Sequence, residues 1–128
     1  MTGDCLFCRM VAGDESAERV DEDELTFSIM DAFPSSNGHV LVIPKAHMET
    51  IHDLDQASGD AVWRATVRLA NRIRAALEPA GLSLRQSNGR AAGQEIMHFH
   101  MHVVPRYGGG ERGDRGRIAE FAERIRSA

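Results

Sequence analysis

Met97-His98-Phe99-His100-Met101-His102-Val103-Val104 alternates imidazole with an apolar side chain over its whole length before closing on two valines. In a strand, residues two apart share a face and lie about 6.6 Å from one another. The spacing therefore predicts a strand over Ile96 to Val104, closed by Pro105, with His98, His100 and His102 on one face and Met97, Phe99, Met101 and Val103 on the other. The apolar face reads as core. A single histidine on a strand is an ordinary half-buried polar residue, but packing does not ask for imidazole at every second position, and each buried ring needs its own partner. Imidazole is also the side chain suited to proton transfer, nucleophilic attack and metal binding near neutral pH.

Outward from that strand, Asn88 to Gly93 reads as a loop and Leu82-Ser83-Leu84-Arg85-Gln86 as a further strand. Before them, Val62, Ala65, Leu69, Ile73, Ala76 and Leu77 recur at helical steps from Asp55 onward, one apolar face of a long helix that Pro79-Ala80-Gly81 ends. Val40-Leu41-Val42-Ile43 is a β-branched strand opened by Gly38-His39 and stopped by Pro44, and Glu24 to Met30 alternates into the turn Asp31-Ala32-Phe33-Pro34. A short helix is expected over Ile118 to Ile125. Strands with few helices and short turns give an α+β domain on an antiparallel sheet. Residues 1–107 are read as that domain and 108–128 as a tail with a short helix belonging to it, with Gly108-Gly109-Gly110 as a hinge that lacks the Gly-Lys-Ser/Thr ending of a phosphate loop.

The chain has 128 residues, enough for one core, and 42% hydrophobic residues, which excludes wholesale disorder. No aliphatic run is long enough to cross a bilayer, and Met1-Thr2-Gly3-Asp4 offers neither a basic nor an apolar leader segment, so a soluble, cytoplasmic protein with no membrane partner is expected. The net charge of −4 argues against a nucleic-acid backbone as partner. The two cysteines, Cys5 and Cys8, stand in C-x-x-C spacing, which suits metal ligation or thiol redox chemistry. His52 reads as surface, Trp63 and Tyr107 as core or interface, and Lys45 has no chemical task.

His98-Phe99-His100-Met101-His102-Val103-Val104 fills every position of the His-Φ-His-Φ-His-Φ-Φ signature of the histidine-triad (HIT) superfamily, where Φ is hydrophobic. Cys5-Leu6-Phe7-Cys8, Asp31, Gly38-His39-Val40-Leu41-Val42-Ile43-Pro44-Lys45-Ala46-His47, Asn88-Gly89 and Gly93-Gln94 resemble blocks of its bacterial Hint-like branch in the same order. The resemblance implies a HIT-like fold: a five-stranded antiparallel sheet with one long helix and a short C-terminal helix, paired into a homodimer. It implies a hydrolase or nucleotidyl transferase acting at the α-phosphate of purine nucleotide phosphoramidates or acyl-adenylates. The runner-up is a dinucleoside polyphosphate hydrolase or phosphorylase, and the third reading is a non-catalytic nucleotide-binding regulator.

By the same resemblance His100 is the nucleophile that takes up the nucleotidyl group, His102 contacts the phosphate, and His39 stands behind them. Asn88 and Gln94 match phosphate-site residues, Asp31 the acid that accepts from the ribose hydroxyls, and Leu6, Ile29 and Leu41 positions near the base pocket. Cys5, Cys8, His47 and His98 match a zinc site; four protein ligands leave no open position, which makes the Zn²⁺ structural. Glu95 departs from the pattern, standing where some eukaryotic members carry serine, and is expected to face away from the phosphate or to offer only its backbone N–H.

Overall fold

The computed structural model describes residues 4–128; Met1 to Gly3, part of the segment in which no leader is read, lie outside the described residues. β1 (Arg19–Glu22), β2 (Thr26–Met30), β3 (Val40–Pro44), β4 (Gly81–Arg85) and β5 (Met101–Arg106) form one antiparallel sheet in the order β1-β2-β3-β5-β4. Three helices, α1 (Leu6–Ala12), α2 (Gln56–Leu77) and α3 (Ile118–Arg126), complete the α+β architecture.

The register of β2 on β3 (Ile29 opposite Leu41, Met30 opposite Val40) sorts their side chains into two layers. Met30, Val40 and Val42, with Val103 of β5, pack under Val62, Ala65, Leu69 and Ile73 of α2 and Phe121, Ala122 and Ile125 of α3. Phe27, Ile29, Leu41 and Ile43 face the other way, onto Phe7 and Met10 of α1. Phe121 and Ile125 are buried in the same core as the sheet, each contributing on the order of 1.5–3 kcal/mol, so the tail is anchored at its helix. The helix face of the sheet is closed. On the opposite face α1 covers β2 and β3 and leaves room over β5 and β4, where the site lies.

α2 begins where the sequence signals it: the Asp55 carboxylate accepts the Ser58 N–H at 2.8 Å, and Glu78, at φ 49°, ends the helix in the left-handed region before Pro79. Two elements carry no readable period. α1 is seven residues long and starts on Cys5, whose sulfur accepts the Cys8 N–H at 3.4 Å, so the C-x-x-C spacing serves as a helix cap. β1 reads Arg-Val-Asp-Glu, with Val20 alone buried, and is held to α2 by Arg68 on the largely buried Asp21 carboxylate at 2.6 Å.

Candidate active site and metal cluster

The histidine strand is shorter at its start than its alternation predicts and longer at its end. Regular pairing begins at Met101 and continues through Pro105 to Arg106. At the start, the His98 N–H turns back onto Ile96 O at 2.9 Å and the Phe99 N–H onto Met48 O at 2.7 Å, so this stretch leaves the ladder with β3. At the end, β3 pairing stops at Val103, and the Pro105 carbonyl points past β3 to accept the Ser36 hydroxyl at 2.6 Å; the missing proline N–H falls on that unpaired side. The alternation of faces survives. Phe7, fully buried in α1, meets the rings of both His98 and His100 edge-on at 5.6 and 5.3 Å, while Phe99 is buried under α2.

The hydrogen bonds fix where each imidazole keeps its proton. His100 Nδ1 lies 2.7 Å from His98 O, and a carbonyl only accepts, so Nδ1 carries the proton and Nε2 keeps its lone pair. His39 Nδ1 accepts the Ser35 N–H at 3.0 Å, which places its proton on Nε2, 2.9 Å from His102 Nδ1. His102 therefore accepts at Nδ1 and carries its own proton on Nε2. Asp31 Oδ2 stands 3.4 Å from His39 Nε2 and 3.9 Å from His102 Nδ1, and its other oxygen accepts the Phe33 N–H at 2.9 Å.

Burial first, then the charges of Arg85 and Arg106, lowers His39 from 6.5 to about 4. Burial also takes His102 to about 4, helped by His100 and Arg85 and opposed by Asp31. Both rings are therefore uncharged at neutral pH, and neither of their approaches to Asp31 is an ion pair there. His100 is lowered too, chiefly by burial and partly countered by its bond to His98 O.

Asp31, His39, Leu41, Gln94, His100 and His102 line one pocket of about 400 Å³. Leu6, Ile29 and Asn88 do not line it. Ile29 is buried beside Leu41 under α1, Leu6 packs against that layer, and Asn88 joins Gln86 to the Ile51 N–H, which its Oδ1 accepts at 2.7 Å. Gln94 is buried with its amide fully engaged: it accepts from Gly89 N and donates to Glu49 O and Ile96 O at 2.7, 2.7 and 3.0 Å. Glu95 is exposed and borders the pocket next to the buried Gln94.

Cys5, Cys8, His47 and His98 bring their ligand atoms within 4.8 Å of one another. His98 Nδ1 is 3.2 Å from Cys5 Sγ and 3.6 Å from Cys8 Sγ, and His47 Nδ1 is 3.3 Å from Cys8 Sγ. A tetrahedral zinc site has S···N edges of about 3.5 Å, so the four residues fit that ion. His98 Nε2 donates to Pro44 O at 2.7 Å, which leaves Nδ1 unprotonated toward the thiols, and His47 Nε2 points at Glu49 from 3.8 Å. Burial and the neighbouring Cys5 push the Cys8 thiol up to about 11, the state that a coordinated cation reverses by deprotonating it.

The family model for the HIT domain matches residues 12–109. The chain belongs to the HIT domain family. Protein hit of Bacillus subtilis is 39% identical over 107 residues, covering 84% of this chain and 74% of the relative. The adenosine 5'-monophosphoramidase hnt1 of Schizosaccharomyces pombe is 35% identical over 103 residues, 80% of this chain and 74% of the relative. A zinc-bound histidine triad family protein from Mycobacterium smegmatis superposes with a TM-score of 0.91 at 34% identity, covering 99% of this chain and 94% of that one. The five-stranded antiparallel sheet with its helices is the HIT fold.

Sequence reasoning missed several walls of this HIT pocket: Phe33, Ser35, Arg85, Ser87, Gly93 and Ile96. Ser35 acts through its backbone, which no residue type signals. Phe33 is 72% exposed, an aromatic in a polar turn, and that was a readable sign. Arg85 is placed by register, opposite His102 across the β4–β5 ladder. Among the described residues no helix is long and apolar enough to cross a membrane.

Proposed function

We propose that this HIT protein hydrolyses purine nucleotide phosphoramidates or acyl-adenylates at the α-phosphorus through a nucleotidyl intermediate on His100. The observation that carries this reading is the Nδ1 bond of His100 to His98 O, which leaves the Nε2 lone pair as the nucleophile of a neutral ring in the pocket. In the first step Nε2 bonds to the α-phosphorus as the bond to the leaving group breaks and its electron pair departs with that group. An amine leaves with a proton taken from solvent, which the attacking water of the second step gives back; a carboxylate needs none. In the second step water attacks the phosphorus, the N–P bond breaks back to the imidazole, and the water proton is released with the nucleotide. His102, protonated at Nε2 by virtue of the His39 bond, donates to a phosphoryl oxygen as charge develops. His39 positions His102, and Asp31 accepts from the ribose hydroxyls. Leu41 borders the base with Leu6 and Ile29 behind it, while Asn88 and Gln94 hold the loop from Asn88 to Gly93 in shape beside the phosphate.

Cys5, Cys8, His47 and His98 would hold zinc, whose contribution when bound is a cross-link between the N-terminal segment and the start of the catalytic strand. With four protein ligands it is structural.

Support for the hydrolytic reading comes from the monophosphoramidase relative and from the intact set of His39, His100 and His102, since binding alone needs no unprotonated nitrogen at position 100. The dinucleoside polyphosphate reading uses the same chemistry with a different leaving group. The test is mass spectrometry of protein quenched during turnover of adenosine 5′-phosphoramidate. We expect one nucleotidyl adduct on the peptide containing His100, absent from His100→Ala. Turnover at wild-type rates by His100→Ala rejects the reading.

A further inference from the structure

Arg85 ends the edge strand β4, and the register sets it directly opposite His102, so both side chains leave the sheet on the same face. It lines the pocket together with His39, His100 and His102. Arg68, Arg117 and Arg126 are committed to Asp21, Glu120 and Glu123; among the described residues Arg64, Arg74, Arg90 and Arg112 are not paired through their side chains, but Arg85 is the arginine that lines this pocket. Among the described residues the Arg85 guanidinium has no ion-pair or hydrogen-bond partner. Its charge is nonetheless felt at His39, His100 and His102, each of which it makes harder to protonate, whereas Glu95 across the wall acts on His100 in the opposite sense.

We propose that Arg85 is a specificity-determining residue, favouring nucleotides whose leaving group departs as an anion, an acyl carboxylate or a further phosphate, over those that release an amine. This rests on the hydrolase reading above and deepens it. As the His100 Nε2–phosphorus bond forms, the electron pair of the breaking bond moves onto the leaving group. A carboxylate or phosphate oxygen then carries negative charge, which a guanidinium beside His102 stabilises with a fork of donors matched to those groups. A departing amine instead needs a proton, and a fixed cation nearby does nothing to supply one. Glu95 opposes the anion, so removing its charge shifts preference further the same way. The competing role for Arg85 is a charge that keeps the exposed β4 edge from pairing with other strands, which makes no distinction between leaving groups.

The experiment compares kcat/KM for an acyl-adenylate with kcat/KM for adenosine 5′-phosphoramidate on full-length, zinc-loaded protein. In Arg85→Leu the ratio of the first to the second falls by at least about tenfold; Arg85→Lys retains most of it, and Glu95→Gln raises it. An unchanged ratio in Arg85→Leu overturns the proposal, whether or not both rates fall. If the wild-type protein turns over neither substrate, the hydrolase reading fails and calorimetry with AMP and ADP decides on Arg85 separately. Tighter binding of ADP that Arg85→Leu abolishes supports a site for the added anion; equal affinities in the wild type overturn it.

Discussion

His100 and His102 stand two residues apart in one pocket, yet they hold their protons on opposite nitrogens. A backbone carbonyl fixes the first and His39 the second. Neither partner requires contact with substrate, so the division of labour is built before a nucleotide arrives. Because burial lowers His100 below its ordinary 6.5, the ring is neutral at pH 7, and the acid limb of kcat/KM should fall with an apparent pKa below 6.5. A limb above that value contradicts the assignment. Stability follows the same rings. The folded-state values of His39 and His102, about 4 each, lie below 6.5, so the unfolded chain binds more protons between pH 6.5 and 4. Stability is therefore lost as pH falls through that window, by up to roughly 1.4 kcal/mol per pH unit for each ring. Denaturant unfolding at pH 7, 5.5 and 4.5 checks the slope, and His39→Gln should flatten it; an identical slope in the variant rejects the contribution of His39.

Among the elements, legibility followed burial. α2, β2 and β3 announce themselves because a whole face, or both faces, must be apolar. β1 and α1 do not, since their positions depend on Asp21 meeting Arg68 and on Cys5 and Cys8 meeting His47 and His98, contacts between residues far apart in sequence. The histidine strand shows both sides of this. Its alternation marked the imidazole face, but the turn at His98 that pins one ring into the Cys–His cluster and offers a carbonyl to the next could not be read from spacing. The same holds for Asn88, whose amide is spent on the Gln86 side chain and the Ile51 N–H, and for Gln94, whose amide is spent on backbone partners brought together by the fold. The ligand set joins α1 to the residues just after β3 and before β5, so metal loss should be felt as stability. Cys5→Ser/Cys8→Ser is expected to bind no zinc and to melt earlier, by an amount on the order of several degrees for each 1 kcal/mol lost, while keeping measurable turnover in the cold. A variant that keeps its wild-type melting temperature without metal would show that the site is not structural.

At the scale of the molecule, the sheet ends on β4, an edge carrying Leu84 at 43% exposure, while Ile51 ahead of α2 and Trp63 and Val67 on it are exposed at 52%, 56% and 43%. Trp63 lies outside the core, which leaves an interface as its place. An edge strand and apolar side chains left open favour a two-fold partner, and we expect a homodimer with α2 in its interface. Light scattering should give twice the 14.1 kDa chain mass at micromolar concentration, and Trp63→Glu should shift it toward one chain. A wild-type mass of one chain contradicts the dimer. The central claim, a covalent nucleotidyl group on His100, is tested most directly by the stereochemical course at phosphorus. Hydrolysis of an adenosine phosphoramidate made chiral at the α-phosphorus with sulfur and labelled water should proceed with overall retention, because two successive in-line displacements each invert. Overall inversion would mean that water attacks the substrate directly, and His100 would then not be the nucleophile.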